Sequence, residues 1–240
     1  MIPTPRISVV IPAYNEEEAL PDCLRELRRV MAGMGQEFEI IVVDDGSTDA
    51  TFGVLREMRS EVPELRAIRF ARNSGQTAAM AAGFRAARAP IVVTMDADGQ
   101  NDPADIPALL DALVACDVVC GVRQRRADTL LRRVSSRLAN AVRNRLAGDR
   151  WRDVGCSLKA YRREFLQRLP LFEGMHRFLP TLLSLAGARV TELPVRHRPR
   201  RRGRSKYNVR NRMFVALRDL FAVRWMRRRW LRYEVAETLD

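Results

Sequence analysis

The sequence predicts an α/β fold, with a mostly parallel central sheet covered by helices on both faces. Three observations predict it. Short β-branched runs alternate with helix-length stretches through the first 121 residues. Those runs are apolar along most of their length, as strands buried on both sides are. Polar clusters follow the first, second and fourth runs, where open parallel sheets bind ligands beyond the carboxyl ends of their strands. At 240 residues and 47% hydrophobic content the chain can form one large core or two small ones, and a disordered chain is excluded.

Each element follows from local pattern. Residues 6–12, with Ile7, Val9, Val10 and Ile11 closed by Pro12, read as a buried strand. Asn15 is a plausible cap for a helix over 16–31, with three Glu in its first turn, where the helix dipole favours them. Residues 38–43 form a second strand, and Ser47 or Thr48 caps a helix to about 59. A third strand covers 65–70, a small-residue helix 76–87, a fourth strand 90–95, a helix 103–115 and a fifth strand 117–121. Gly83 is expected to let its helix approach the sheet closely. Beyond residue 121 the style changes. Residues 128–146 predict a strongly basic amphipathic helix, 156–161 a short strand, 173–186 a helix and 189–195 a strand. Residues 196–207 form a basic loop, and a last helix over 209–232 places Phe214, Leu217, Phe221 and Trp225 on one face.

Charge is divided along the chain. Residues 1–120 carry 11 basic and 19 acidic side chains, a net −8; residues 121–240 carry 31 and 10, a net +21. The first half suits a cation, and the second suits phosphate or an anionic surface. All but two of the 42 cationic residues are Arg, the exceptions being Lys159 and Lys206. A nucleic-acid partner is not expected: aromatics are 7%, and no nucleic-acid-binding motif occurs. Cys23, Cys116, Cys120 and Cys156 form no CxxC pair and read as reduced thiols, with Cys116 and Cys120 in the core. His176 and His197 are too isolated in sequence to suggest a metal site.

Asp96-Ala97-Asp98 at a strand end is the sharpest chemical signal. Two carboxylates one residue apart can share a hard divalent cation and leave positions for substrate phosphate, with Gln100 adding an amide oxygen. A solvated acidic turn is the plainer alternative. Asp44-Asp45-Gly46-Ser47 reads either as a carboxylate site for a base or ribose or as a helix cap, and both can hold together.

Taken as a set, Pro12-Ala13-Tyr14-Asn15-Glu16, Asp44-Asp45-Gly46-Ser47, Arg72-Asn73-Ser74-Gly75 and Asp96-Ala97-Asp98-Gly99-Gln100 resemble the family-2 inverting glycosyltransferases of GT-A fold, a Rossmann-like architecture. The narrower resemblance is to polyprenyl-phosphate glycosyltransferases, the dolichol-phosphate mannose synthase-like and undecaprenyl-phosphate types. It rests on Asp96–Gln100 followed by Asp102-Pro103, the stretch from Asp117 to Arg123, the run from Asp153 to Arg162 and the basic residues 200–207, and it covers roughly residues 6–225.

The resemblance implies roles. Pro12, Ala13, Tyr14, Glu16, Asp44, Asp45 and Gln76, with Asp96, Ala97 and Asp98, would face the nucleotide. Asp96, Asp98 and Gln100 would hold Mg²⁺ or Mn²⁺. Arg123, Arg200, Ser205 and Lys206 would meet phosphates, the last three from a mobile basic loop over 196–208. The implied reaction moves a sugar from a nucleotide-sugar donor, UDP-linked in preference to GDP-linked, to a polyprenyl phosphate that attacks without a general base. The family's usual Glu-Asp base pair is absent, and Asp153 stands in that region, so a hydroxyl acceptor with Asp153 as base is the alternative. The expected division is a GT-A catalytic domain over 1–208 and a C-terminal amphipathic helix over 209–240. The expected location is peripheral, on an anionic membrane surface at the cytoplasmic face of the inner or plasma membrane. A second copy or a membrane-anchoring partner is a further expectation.

Overall fold

A computed structural model describes residues 4–124, 148–167, 169–170, 172–199, 209–231 and 236–237. The helix expected over 128–146 and the phosphate-facing Arg200, Ser205 and Lys206 lie outside the described residues.

Four strands organise the first half: β1 (Ile7–Ala13), β2 (Phe38–Asp44), β3 (Leu65–Arg69) and β4 (Ile91–Thr94). They pair in parallel in the order β3-β2-β1-β4. Alternation of side chains along the strands sends Val9, Ile11, Ile40 and Val42 to one face and Val10, Ile41 and Val43 to the other. On the first face lie α1 (Leu20–Gly33), α2 (Thr51–Met58) and α4 (Ile106–Ala112), through Leu24, Leu27, Leu55 and Leu109. On the second lie α3 (Gln76–Ala86) and α6 (Leu179–Leu185), through Ala79, Phe84, Leu179 and Leu182. Gly83 does what its sequence position predicts: a Cβ there would stand 2.2 Å from Val10 Cγ1.

The second half completes the sheet with β5 (Val118–Arg123), β6 (Lys159–Arg162) and β7 (Val190–Val195). The full order is β3-β2-β1-β4-β6-β5-β7, and β6 runs antiparallel to both of its neighbours. A short helix, α5 (Arg163–Gln167), follows directly. α7 (Val209–Arg229) packs Leu220 and Val223 into the same cluster as α3 and α6.

Several expectations need correction. Helix α1 begins at Leu20, not at residue 16. Asn15 is no cap: it takes a left-handed φ of 50°, and its Oδ1 accepts from Thr48 N at 2.8 Å. The backbone N–H groups of Asn15 and Glu16 donate instead to Ser47 Oγ and Thr51 Oγ1, so partners across the sheet end displace the first helical turn. The second helix starts at Thr51, where Asp49 rather than Ser47 accepts from the first N–H. The single helix expected over 103–115 divides into a 3₁₀ turn (Pro103–Asp105) and α4. Likewise 173–186 divides into a 3₁₀ turn (Met175–Arg177) and α6, with Pro180 in the first turn of the latter. The face of α7 that carries Phe221 and Trp225, left open by the sequence, points outward at 60% and 63% exposure, with Leu220 and Val223 toward the core.

Candidate active site

The carboxyl ends of β1, β2 and β4 converge because the three strands are neighbours in parallel register. The loop after β2 is self-supporting. Buried Asp44 accepts from Ser47 N at 2.9 Å through Oδ1, while Oδ2 lies 3.4 Å from Arg69 Nε. Asp45 is almost fully buried and accepts from Ser74 N at 2.7 Å, Gly75 N at 2.9 Å and Asn73 Nδ2 at 3.0 Å. Burial raises the Asp45 carboxyl above its ordinary value, against the pull of the Ser74 and Gly75 N–H groups. Gly46 turns the chain at φ 68°, with the backbone of Arg72 so near that a Cβ would meet it at 2.4 Å. Beside this turn a cleft of about 360 Å³ is lined by Gly46, Ser47, Arg69, Phe70 and Ala71. Pro12 and Ala13 sit in β1 opposite Val43 and Asp44, and half-buried Tyr14 and Glu16 lie in the loop that follows.

Asp96 and Asp98 follow β4 on a turn that includes Gly99 at φ 71°. Ala97 between them is buried, so the two carboxylates flank an anchored residue. Asp96 Oδ1 accepts from Gln76 Nε2 at 3.1 Å, which places Gln76, at the start of α3, against the acidic turn. Asp98 Oδ1 accepts from Gln100 N at 3.0 Å. Burial first, and then the charge of Asp98, push Asp96 up to about 6, against a hydrogen bond from Ser157 and the charges of Lys159 and Arg123. Cys23, on α1, is pushed up to about 12 by burial and by the carboxylates of Asp98, Glu26, Asp96 and Glu16. The site therefore holds a concentrated negative field, which a divalent cation would neutralise. Among the described residues no cluster of three or more His, Cys, Asp and Glu could hold a metal alone. Two carboxylates and the Gln100 amide are a hard oxygen donor set that leaves positions for substrate oxygens, so the residues fit Mg²⁺ or Mn²⁺.

Three residues near this turn receive no role from the sequence reading. Asn101 is 4% exposed and accepts, through one Oδ1, from Asp96 N at 2.9 Å and Ser157 Oγ at 2.8 Å. Ser157 thereby ties a distant segment to the acidic turn. His197 pairs with Asn101 in an isolated bridge, and its Nε2 lies 3.5 Å from Gln100 Nε2, so the fold undoes the isolation expected of it. An Asn directly after the acidic turn was the one available cue. His176, by contrast, stands on the other face of the sheet, 2.7 Å from Thr77 Oγ1.

Arg123 closes β5 and forms a bidentate pair with Asp153, Nε to Oδ2 at 2.7 Å and Nη2 to Oδ1 at 2.8 Å. Both side chains are mostly buried, at 16% and 12% exposure.

The sequence and the fold are both matched by known proteins. Residues 8–169 match the family described as Glycosyl transferase family 2, more than half of the chain, and the chain belongs to that family. It is similar to dodecaprenyl-phosphate galacturonate synthase of Rhizobium johnstonii, 39% identical over 92% of this chain and 67% of that protein. It is similar too to undecaprenyl-phosphate 4-deoxy-4-formamido-L-arabinose transferase of Klebsiella pneumoniae, 38% identical over 86% of this chain and 64% of that protein. The chain thus spans about two thirds of the length of these curated relatives. Among solved structures, glucosyl-3-phosphoglycerate synthase of Mycobacterium tuberculosis with Mn²⁺ and UDP-glucose superposes with a TM-score of 0.66 at 23% identity, over 93% of this chain and 79% of that one. A mannosyltransferase of Pyrobaculum calidifontis with GDP-mannose and Mn²⁺ gives 0.62 at 23% identity, over 85% and 59%. These two likenesses establish the shared GT-A fold.

Proposed function

We propose that the protein moves a sugar, with inversion, from a nucleoside-diphosphate sugar to a polyprenyl phosphate. One observation carries this reading: both curated relatives are named for polyprenyl-phosphate acceptors, and the likeness runs through 92% and 86% of this chain. In the reaction a phosphate oxygen of the acceptor attacks the anomeric carbon. The bond from that carbon to the donor diphosphate breaks, and the nucleoside diphosphate leaves.

The residues have separable tasks. Asp44 and the cleft beside Arg69 would take the base and ribose, while Asp45 holds the loop that shapes this pocket. Asp98, Asp96 and Gln100 would hold Mg²⁺ or Mn²⁺, and the cation would neutralise charge gathering on the leaving diphosphate. Arg123 would face the phosphates with its guanidinium oriented by Asp153. Arg200, Ser205 and Lys206 are assigned to phosphate by their motif. The acceptor phosphate is already ionised at neutral pH, so no base is required. The pairing of Asp153 supports this point: both of its oxygens accept from the Arg123 guanidinium, which leaves it poorly suited to take a proton from a hydroxyl. UDP is the first nucleotide to test and GDP the second.

A lipid acceptor requires approach to a membrane, peripheral and at the cytoplasmic face in this reading. Among the described residues no helix is long and apolar enough to cross one. The outward face of α7 supports approach: Phe221 and Trp225 stand exposed beside Arg218, Arg228 and Arg229, a pattern suited to anionic headgroups.

The test is transfer from labelled UDP- and GDP-sugars to undecaprenyl phosphate in detergent, with Mg²⁺, Mn²⁺ and a chelator control. A chelator-sensitive labelled lipid is the expected product. Donor turnover with label on a hydroxyl acceptor instead would overturn the reading and return Asp153 to the role of base.

A further inference from the structure

Lys159 is the one described lysine in a chain whose 42 cationic side chains are otherwise Arg, apart from Lys206. It is 3% exposed, at the start of β6, between Thr94 of β4 and Cys120 of β5. A buried ammonium needs acceptors in place of the water it has lost. Here its Nζ donates to the carbonyl oxygen of Val154 at 3.3 Å and to that of Cys156. Those two carbonyls belong to the turn that begins at Asp153, in which Cys156 N donates back to Asp153 O at 3.4 Å.

The same turn sets Arg123. Asp153 accepts from the backbone N of Arg123 at 3.3 Å as well as from its guanidinium, so it fixes both the strand end and the side chain. The fit is close: a Cβ on Gly155 would stand 3.2 Å from Arg123 Nη2. A shift of the turn therefore passes directly to the guanidinium. Residue type follows from shape. A compact ammonium with three donors reaches two carbonyls in a closed space, which a planar guanidinium fork does not match.

We infer that Lys159 is a positioning residue for the Arg123–Asp153 pair, its ammonium pinning the turn from which Asp153 orients Arg123 toward the reacting phosphates. This inference rests on the assignment of Arg123 to phosphate made above.

The test is a double-mutant cycle of Lys159→Met and Asp153→Asn, read as kcat, donor KM and thermal midpoint. Lys159→Met is expected to lower kcat by about tenfold to a hundredfold, the scale of a misplaced group, with donor KM moved less than about twofold. The double variant is expected to be no slower than the worse single variant, because both changes release the same guanidinium. Multiplying losses in kcat, or a lowered thermal midpoint with kcat unchanged, would overturn the inference. If Lys159→Met does not fold, Lys159→Gln, whose amide can keep one of the two carbonyl contacts, takes its place; it is expected to lower kcat less than removal of both contacts would, still without multiplying the loss of Asp153→Asn, and multiplied losses would overturn the inference. If the wild-type protein labels no lipid, the proposed acceptor fails; the cycle is then read on donor hydrolysis, so the two failures are told apart.

Discussion

The acids after β2 hold chiefly the backbone, with Arg69 beside Asp44, whereas the acids set against β5 hold arginines. Asp44 and Asp45 accept from the N–H groups of Ser47, Ser74 and Gly75. Asp153 and Asp117 instead take Arg123 and Arg189, and Arg196 and Arg198 reach across to Asp105, Asp102 and Glu26 of the acidic half. The difference teaches how the −8 and +21 halves coexist. Part of the basic excess is neutralised within the fold, as ties between the halves. Asp96 accepts from the Gln76 side-chain amide and Asp98 from Gln100 N within its own turn, and burial and the charge of Asp98 raise Asp96. That raised carboxyl distinguishes the candidate ligand acids from the acids that only hold the fold.

The comparison can be broken at either kind of acid. Asp98→Asn should cost the largest amount, about a thousandfold in turnover, while leaving the denaturation midpoint nearly unchanged. Steady-state kinetics beside a urea titration checks it, and an equal loss of stability would make Asp98 a scaffold acid. Asp45→Ala should do the reverse. It strands the N–H groups of Ser74 and Gly75, so stability should fall by about 2–3 kcal/mol and donor KM should rise.

Titration sharpens the contrast further. The folded chain holds the Asp96 proton more tightly than the unfolded chain does. Without metal, stability should therefore decline as pH rises from the ordinary carboxylate range through about 6. Metal competes with that proton. Mn²⁺ affinity should be flat above about pH 6 and fall roughly tenfold per unit below it, as calorimetry across pH would show. The smallest effect on the fold belongs to the outer face of α7. Trp225→Ser should change stability by less than about 0.5 kcal/mol, since the ring is 63% exposed. The same change should weaken sedimentation with anionic vesicles, and unchanged sedimentation would remove this face from membrane approach.

The parallel half was legible because each strand announces itself. Ile7 to Ile11 and Ile40 to Val43 are β-branched runs ended by the polar groups that form the site. Asp96, Asp98 and Gln76 were found in sequence and stand together in space. What escaped depended on partners far along the chain. Asn15 has the residue type of a cap, yet Thr48 and Ser47 claim its side chain and backbone. His197 looks isolated until Asn101 pairs with it across 96 positions. Strand β6 has four residues, too few for a period to reveal its direction. On α7 the pattern puts Phe221 and Trp225 on one face without saying whether that face turns inward; the packing of Leu220 and Val223 with α3 and α6 decides it.

The antiparallel placement of β6 has a consequence for how the protein forms. During synthesis β1 to β4 can pair as soon as they emerge, but the outer edge of β4 waits for residues 159–162. Until then it presents unpaired backbone groups, the kind of edge that recruits other strands. Closing it also delivers Ser157 to Asn101, beside Asp96. A ribosome-bound chain released before residue 162 would thus lack both the finished sheet and the finished acidic turn, and the step that ends its vulnerability to aggregation is the step that completes its chemistry.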